Sequence, residues 1–301
     1  MNSECRINEG ARPSVTESDV SDSVIQDVIC GMGFPVGGNP TQYLMERSFA
    51  AAGLDTRFMT FEVVPEKMAD ALAGMKALNF KGGALLTPHA SLGQACMDRL
   101  STASRLSQAS NCLVREGDQW VGHNTLGEGF LDAVSVIEDW EPCNVAILGL
   151  GAVGRSIAAS LADKKVGELL LLDEDAERGQ NFVAQLGEQF ERTFHFHHWV
   201  TEWTVPDNID LFVQATPVGW CDPQARLPIK VNTLCCDTHV MDVNYNPPET
   251  RFIREALSRG ASVTSGIELL VFQSAHAFKK WTGIEADIDL IRESAEEYLE
   301  I

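Results

Sequence analysis

The sequence predicts an α/β protein made of two α/β domains, and three observations lead to this prediction. Short apolar runs alternate with amphipathic stretches along most of the chain, which is the pattern of strands followed by helices. A glycine-rich run at 149–154 stands between an apolar strand and a helix, as in a Rossmann-like doubly wound sheet. A chain of 301 residues is more typical of two domains than of one. Strands that alternate with helices predict parallel sheets covered on both faces.

The elements of the first half follow in order. Residues 1–23 are polar and poor in aromatic side chains, which is typical of a flexible tail, so order should begin near Val24. Strands are predicted at 24–30, 57–63 and 83–86, and helices at 40–52, 65–78 and 88–100. The helix at 65–78 has proline at its first position. Residues 112–121, with Gly117 and Asp118 between two apolar runs, predict a hairpin.

The second half begins with a predicted connecting helix at 127–140. A second series of strands is predicted at 144–148, 168–173, 193–198, 210–214 and 238–243. Helices at 267–281 and 287–299 close the chain. A ligand cleft is expected between the two domains, near the carboxyl ends of their strands.

The run Gly149-Leu-Gly-Ala-Val-Gly154 predicts a dinucleotide site. Glycine is needed where the backbone turns tightly and where a pyrophosphate approaches the N–H groups of a helix N-terminus. The strand before this run and the helix after it supply the context that a bare glycine pattern lacks, against the alternative of a merely structural turn. The predicted cofactor contacts in the run are Gly149, Gly151, Ala152, Val153 and Gly154.

The next strand ends in Asp173, about 20 residues beyond the glycines, where the ribose 2′-hydroxyl of a dinucleotide needs an acceptor. A carboxylate at this position binds a free 2′-hydroxyl and repels a 2′-phosphate. Glu174 and Asp175 add negative charge, and no basic residue follows before Arg178. The sequence therefore favours NAD over NADP as the cofactor.

The composition excludes some partners. The chain carries 23 basic and 43 acidic residues, a net charge of −20, which argues against nucleic acid and against an anionic membrane surface. No apolar stretch is long enough to cross a bilayer, and the N-terminus lacks the pattern of a signal peptide. The eight cysteines form no C-x-x-C pair, which is typical of reduced thiols. We therefore expect a cytoplasmic protein with a small-molecule substrate.

Several further segments resemble the shikimate dehydrogenase family, which also includes quinate dehydrogenases. These segments occur in the order and spacing of the family and cover nearly everything after Val24. They are Gly33-Phe-Pro-Val-Gly37, Thr87-Pro-His89, Gly122-His-Asn-Thr125, Gly127-Glu-Gly-Phe130, Gln214-Ala-Thr-Pro-Val-Gly219, Met241-Asp-Val-Asn-Tyr-Asn-Pro247 and Gly266-Ile-Glu-Leu-Leu-Val-Phe-Gln273.

The resemblance implies a substrate-binding domain at 24–126, a dinucleotide-binding domain at 127–265, and C-terminal helices at 266–301 that return to the first domain. It implies reversible hydride transfer between a nicotinamide and a ring hydroxyl of a carboxylated substrate, a step of aromatic amino acid biosynthesis or of quinate metabolism. It adds four cofactor contacts, at Thr216, Pro217, Val243 and Gly266. It also implies substrate contacts at Asn39 and Thr41, which align with two serines of the family, and at Asn111, Tyr245 and Gln273.

The sequence departs from the family where a proton must be handled. A hydride leaves a hydroxyl-bearing carbon only if the hydroxyl proton is also transferred, and family members use a lysine and an aspartate for this. Ala90 and Leu126 occupy those two positions here. Ala84 and Leu86 replace an asparagine and a threonine of the family. Losing four polar groups should cost a polyol such as shikimate much of its affinity.

Few histidines could take over the proton transfer that family members assign to the lysine and the aspartate. His89 is a weak catalytic candidate, because neighbouring positions of a helix point about 100° apart and a packing role is the alternative. His123 and Asn124 should point to opposite faces of a strand end. His195 and His197 share a strand face, but no cysteine or carboxylate stands at ligand spacing, so no metal site is predicted.

Two hypotheses remain open. The first is an NAD-dependent oxidoreductase of the shikimate dehydrogenase type, monomeric or homodimeric, that acts on a carboxylated cyclic or small hydroxy acid, with an altered substrate or weak activity toward shikimate. The second is a non-catalytic relative that binds NAD and acts as a sensor or partner protein. The first predicts reduction of the cofactor, and the second predicts binding without turnover.

Overall fold

Two six-stranded sheets organise the chain. The computed structural model describes residues 26–135, 137, 143–164 and 166–301. The predicted tail at 1–23, the first two residues of the strand expected at 24–30, and most of 136–142 lie outside the described residues. None of the helices in the described ranges has the length and apolar character needed to span a bilayer.

The first sheet is mixed rather than parallel. Its strands are β1 (Asp27–Gly33), β2 (Thr56–Glu62), β3 (Gly82–Leu85), β4 (Arg99–Leu100), β5 (Cys112–Glu116) and β6 (Gln119–His123). They lie in the order β2-β1-β3-β5-β6-β4. β1 runs parallel to β2 and β3, whereas β5 is antiparallel to both β3 and β6. The predicted hairpin forms β5 and β6, and it adds antiparallel pairs to the parallel strands of this sheet.

Helices α1 (Thr41–Ala51) and α2 (Met68–Ala77) match their predictions, with a 3-10 turn at Pro65–Lys67 before α2. The helix predicted at 88–100 was wrong. This segment forms turns, a 3-10 turn at Gly93–Cys96 and the short strand β4. A Cβ at Gly93 would lie 2.2 Å from Leu85 Cδ1, so the segment packs closely against β3. The helix α3 (Thr102–Ser107) follows, where Ser101 Oγ accepts the N–H of Ser104.

The second sheet is parallel throughout. Its strands are β7 (Val145–Leu148), β8 (Leu169–Asp173), β9 (His195–His198), β10 (Leu211–Gln214), β11 (His239–Asp242) and β12 (Ser262–Thr264), in the order β12-β11-β10-β7-β8-β9. This is the doubly wound order of dinucleotide-binding sheets. The first five strands were predicted, and β12 was missed because only three residues pair.

Helices cover both faces of the second sheet. α5 (Ala152–Asp163) and α6 (Ala176–Phe190) bury Ile157 and Phe182 on one face, and α7 (Arg251–Ser258) buries Phe252 on the other. The seven cysteines among the described residues are free.

The helix α4 (Leu126–Ala133) joins the two sheets and is shorter than the predicted 127–140. A Cβ at Gly127 would lie 1.9 Å from Ser160 Oγ of α5. On the other side, a Cβ at Gly129 would lie 2.5 Å from the backbone nitrogen of Gln273. Because glycine has no side chain, α4 packs directly against α8 and against α5 of the second unit, by which we mean the part of the chain around the second sheet.

The C-terminal helices α8 (Gly266–Thr282) and α9 (Ile288–Leu299) lie where they were predicted. They return to the first sheet and share a buried cluster with α1 and β1, which includes Ile29, Phe49, Phe278 and Ile291. The other face of the first sheet is covered by α2. Fold class and layer arrangement thus agree with the sequence analysis, while the domain limits at 126 and 265 stay predictions.

Candidate active site

The glycine loop between β7 and α5 has the form of an anion-binding turn. Gly149 has φ +96°, a left-handed conformation that glycine adopts without strain. A Cβ at Gly154 would lie 1.8 Å from the carbonyl oxygen of Gly149, whereas a Cβ at Gly151 would meet nothing within 4 Å. No side chain caps α5 in the described part of the chain. The first N–H groups of α5 therefore face an open space, which fits a pyrophosphate.

Asp173 lies beside this loop, at the end of β8, but it is only 2% exposed. Its carboxylate accepts the N–H of Leu150 from the glycine loop and, at 2.8 Å, the N–H of Asp175. The Arg178 guanidinium forms an ion pair with the same carboxylate. The predicted ribose acceptor thus already holds three protein donors, while the neighbouring Glu174 and Asp175 side chains are exposed. The contact between Asp173 and a ribose stays a prediction.

Thr216, one of the predicted cofactor contacts, borders the glycine loop. A Cβ at Gly149 would lie 2.8 Å from Thr216 Cγ2. The buried Gln214 side chain fixes this turn, because its oxygen accepts the N–H of Thr216 and its nitrogen donates to the Thr216 and Val218 carbonyls. Pro217 lies within the same turn. The structure therefore brings the segments at 149–154 and 216–217 together at the carboxyl ends of β7 and β10.

Val243 and Gly266 also meet, at the end of β11. A Cβ at Gly266 would lie 2.6 Å from the Val243 carbonyl oxygen, so α8 begins in direct contact with this strand end. The buried Asp242 beneath them accepts hydrogen bonds from Thr250 and Asn244. Burial raises the pKa of Asp242 to about 6, although these hydrogen bonds oppose the shift. Asp242 organises this strand end and is itself fully buried.

On the substrate side, Asn111 and Gln273 lie together although 162 residues separate them in the chain. The Asn111 amide nitrogen lies 2.8 Å from Thr125 Oγ1 and 3.3 Å from Gln273 Oε1. The Asn111 oxygen accepts the N–H of Thr125. This cluster connects β5, the start of α4 and α8. Thr125 was not predicted, although its place between the family segment at 122–125 and Leu126 was a signal for it.

The remaining predicted substrate residues form no hydrogen bond with this cluster among the described residues. Asn39 Oδ1 accepts the N–H of Thr41 at the start of α1. Tyr245 packs edge-on against the half-exposed Trp220, with ring centroids 4.7 Å apart. Burial raises the pKa of Tyr245 above its usual range, so its hydroxyl keeps its proton at neutral pH.

The two positions at which the chain departs from the family pattern are buried and apolar. Ala90 is 7% exposed and Leu126 is 6% exposed. Ala84 belongs to the buried cluster beneath α1 and α8, and Leu86 packs against that cluster. The four positions at which the resemblance implies polar groups therefore carry apolar side chains that are buried or packed against the core.

His89 does not face an open cleft. It is fully buried, its Nε2 lies 2.7 Å from the carbonyl oxygen of Val63, and its Nδ1 has no partner among the described residues. His123 bonds to Glu116 at 3.1 Å, and burial lowers its pKa. Within the described ranges, the side chains that lie close enough together to bind a metal ion are those of Cys235, Cys236 and Asp237. This group does not include His195 or His197.

Arg155 was missed by the sequence analysis. It directly follows Gly154, is only 7% exposed, and donates to the Leu150 carbonyl of the glycine loop. Its other donors reach Ser91, Ser107 and Gln108 of the first unit, by which we mean the part of the chain around the first sheet. Burial and the nearby Arg178 lower its pKa below the usual value for arginine. A cation one residue beyond the glycine run was the available signal.

Comparison with known proteins agrees with this geometry. Residues 32–113 match the shikimate dehydrogenase substrate binding domain, and residues 266–296 match the shikimate 5′-dehydrogenase C-terminal domain. A shikimate dehydrogenase (NADP(+)) of Desulforamulus reducens is 28% identical over 270 residues, which cover 88% of this chain and 93% of that protein. The chain is thus similar to shikimate dehydrogenases over most of its length. These relatives are nicotinamide-dependent oxidoreductases.

The relatives with solved structures include enzymes named for different substrates. The ligand-free 5-ketofructose reductase of Gluconobacter sp. strain CHM43 is 29% identical with a TM-score of 0.84, over 91% of this chain and 99% of that one. The shikimate 5-dehydrogenase of Thermus thermophilus, in complex with NADP(H) and shikimate, is 25% identical with a TM-score of 0.80, over 91% of this chain and 100% of that one. One scaffold therefore serves reductases of more than one substrate class.

Proposed function

We propose that the protein is an NAD-dependent oxidoreductase that acts on a small carboxylated hydroxy compound other than shikimate. The observation that carries this proposal is the combination of an open, uncapped glycine loop with buried apolar side chains at Ala90 and Leu126. The loop supplies the cofactor half of a dehydrogenase site, while the substrate half has lost the groups that the family uses on shikimate.

The preference for NAD rests on local charge. Asp173, Glu174 and Asp175 place three carboxylates at the end of β8, against the single guanidinium of Arg178. The resulting excess of negative charge opposes a 2′-phosphate, even though the Asp173 oxygens are already occupied. Glu174 is exposed and is a further carboxylate that could accept from a ribose hydroxyl, whereas Asp175 caps α6 and pairs with Arg178.

The substrate carboxylate would be held by neutral donors. The Asn111 and Gln273 amides form one cluster, and the Asn39 amide and Thr41 hydroxyl at the start of α1 provide further donors. A bound nicotinamide would supply the hydride acceptor. The hydroxyl proton must leave through a group other than residues 90 and 126, because neither alanine nor leucine exchanges protons.

The loss of both polar residues also supports a second candidate, a family member that binds NAD without turnover. The two functions make different predictions for one experiment. Calorimetry should give tighter binding of NAD than of NADP, and cofactor reduction should then be followed with shikimate, quinate and a panel of carboxylated hydroxy compounds. Turnover with a panel compound supports the oxidoreductase, whereas binding without any turnover supports the second candidate.

The double variant Ala90→Lys with Leu126→Asp tests whether the absence of the lysine and the aspartate limits turnover. If the lost pair limits turnover, this variant should oxidise shikimate faster than the parent by roughly the 10²–10⁴-fold typical of general acid–base catalysis. The variant Ala90→Met with Leu126→Asn is a control of similar size without the charges. Rapid oxidation of shikimate by the parent protein, or absence of NAD binding, would contradict the proposal.

A further inference from the structure

Arg155 connects the glycine loop to the first unit through four hydrogen bonds. Its guanidinium donates to the Leu150 carbonyl at 2.8 Å and to the Ser107 carbonyl at 2.9 Å. A third contact reaches the Gln108 carbonyl at 3.3 Å, and a fourth reaches Ser91 Oγ at 2.9 Å. One side chain of the second sheet's first helix therefore bonds to two separate segments of the first unit.

Arg155 is a buried cation whose contacts need a reason. No carboxylate lies within ion-pair distance of it in the described ranges, and its partners are three carbonyls and a hydroxyl. Burying a charge without a counter-ion is costly unless its hydrogen bonds are satisfied. These acceptors come from both units, so the burial of Arg155 depends on their present orientation.

The Leu150 peptide is held from both sides. Its N–H donates to the Asp173 carboxylate, and its carbonyl accepts from Arg155. Asp173 and Arg155 thus each hold one of the two backbone polar groups of Leu150, in the loop that would carry a pyrophosphate. A movement of the loop on dinucleotide binding has to move or strengthen the Arg155 contact.

The neighbouring Ser156 makes the second connection. Its hydroxyl lies 2.7 Å from the amide nitrogen of Asn124, and the Asn124 oxygen accepts the N–H of Leu126. Arg155 meanwhile bonds to Ser91, the residue after Ala90. Two consecutive residues of α5 therefore reach both segments at which this chain departs from its family.

We infer that Arg155 is a positioning residue that couples dinucleotide binding at the glycine loop to the substrate unit at 89–91 and 107–111. This inference rests on the proposed cofactor function and adds a route by which an occupied loop orders the substrate side. The route consists of hydrogen bonds from Leu150 to Arg155 and from Arg155 to Ser91, Ser107 and Gln108.

Hydrogen–deuterium exchange with and without NAD tests the coupling. In the parent protein, saturating NAD should slow exchange at 89–93 and 107–111 as well as at 149–155. In Arg155→Met, NAD should still slow exchange at 149–155 but not at the two segments of the first unit. Its dissociation constant for NAD should rise about tenfold, within the range typical of coupled sites.

Arg192 provides a matched control. Its guanidinium donates to the Val166 and Gly167 carbonyls, which belong to the same unit as Arg192 itself. Arg192→Met should therefore keep the NAD-dependent protection at 89–93 and 107–111. If Arg155→Met does not fold, Ser91→Ala removes only the serine contact and should reduce the protection at 89–93.

The outcomes separate the two proposals. If NAD does not bind the parent protein, the proposed function fails. If NAD binds and protects 149–155 but leaves the first unit unchanged in the parent, the coupling fails alone. The coupling also fails if Arg155→Met, or Ser91→Ala in its place, retains the full protection of the first unit.

Discussion

Replacing the Asp173 carboxylate by an amide should weaken the fold as well as the cofactor site. Asp173→Asn keeps one oxygen, so one of the two backbone N–H bonds, from Leu150 or Asp175, can persist. The other is lost together with the ion pair to Arg178. We therefore expect a loss of unfolding free energy without a change of shape at this buried position.

The magnitude follows from these contacts. A hydrogen bond to a charged group contributes about 1.5–3 kcal/mol. The Arg178 side chain is 38% exposed, so solvent screening limits its ion pair with Asp173 to about 1 kcal/mol. Asp173→Asn should therefore lower the free energy of unfolding by about 3 kcal/mol. The exposed neighbour supplies the control, because Glu174→Gln should change it by less than about 0.5 kcal/mol.

Urea unfolding, followed by tryptophan fluorescence and by circular dichroism, measures both variants against the parent. NAD affinity is measured on the same samples by calorimetry, where Asp173→Asn should weaken binding because the Leu150 peptide loses its anionic partner. Equal stabilities of Asp173→Asn and Glu174→Gln would refute this reasoning. Asp173 would then be free to serve the ribose alone, as the sequence predicts.

Three further predictions concern charge, protonation and packing. Glu174→Arg should raise the affinity for NADP relative to NAD about tenfold, as measured by direct binding. Glu177→Arg makes the same charge change on α6 and should leave that affinity ratio within about twofold. Equal ratios in the two variants would contradict the charge argument. Burial raises the pKa of Asp242 to about 6, so the folded protein holds this proton more tightly than the unfolded chain does. The bound proton therefore contributes roughly 3 kcal/mol to the free energy of unfolding, a contribution that is fully present below about pH 4 and is lost as the pH rises through 6. The unfolding free energy of the parent, compared with that of Asp242→Asn, should fall by this amount between pH 4 and pH 7, and a constant difference would rule the idea out. Gly154→Ala should lower the free energy of unfolding by about 2 kcal/mol or more, because its Cβ would lie 1.8 Å from a carbonyl oxygen. Gly151→Ala is the control and should lower it by less than about 1 kcal/mol. Thermal scans that show equal losses for the two variants would argue against this packing.

Much of the fold was predictable because its signals are local. The strand, glycine turn and helix at 144–163 follow from apolar periodicity and from glycine at the turn. The helix expected at 88–100 was wrong for a tertiary reason. Gly93 brings this segment against Leu85, and that contact overrides the helical spacing of its apolar residues.

The candidate site was predictable where the family segments supply its residues. Asn111 and Gln273 were both predicted as substrate contacts, and they lie together in the structure. The contacts of Arg155 could not be predicted, because Ser91 lies in the segment wrongly predicted as a helix and no element was predicted at 107–108. The three protein donors of Asp173 were also invisible, since sequence spacing places a carboxylate but does not count its bonds.

The close packing of α4 has a consequence for changing the substrate. Gly127 and Gly129 hold this helix so near to α5 and α8 that no side chain fits at either contact, and the main chain at residue 126 is therefore fixed by its neighbours. Residues 84, 86, 90 and 126 form the wall that we propose faces the substrate, and variation at 126 then falls on the side chain while the backbone there stays in place. A combinatorial library restricted to these four positions would sample new substrate chemistries on an unchanged scaffold.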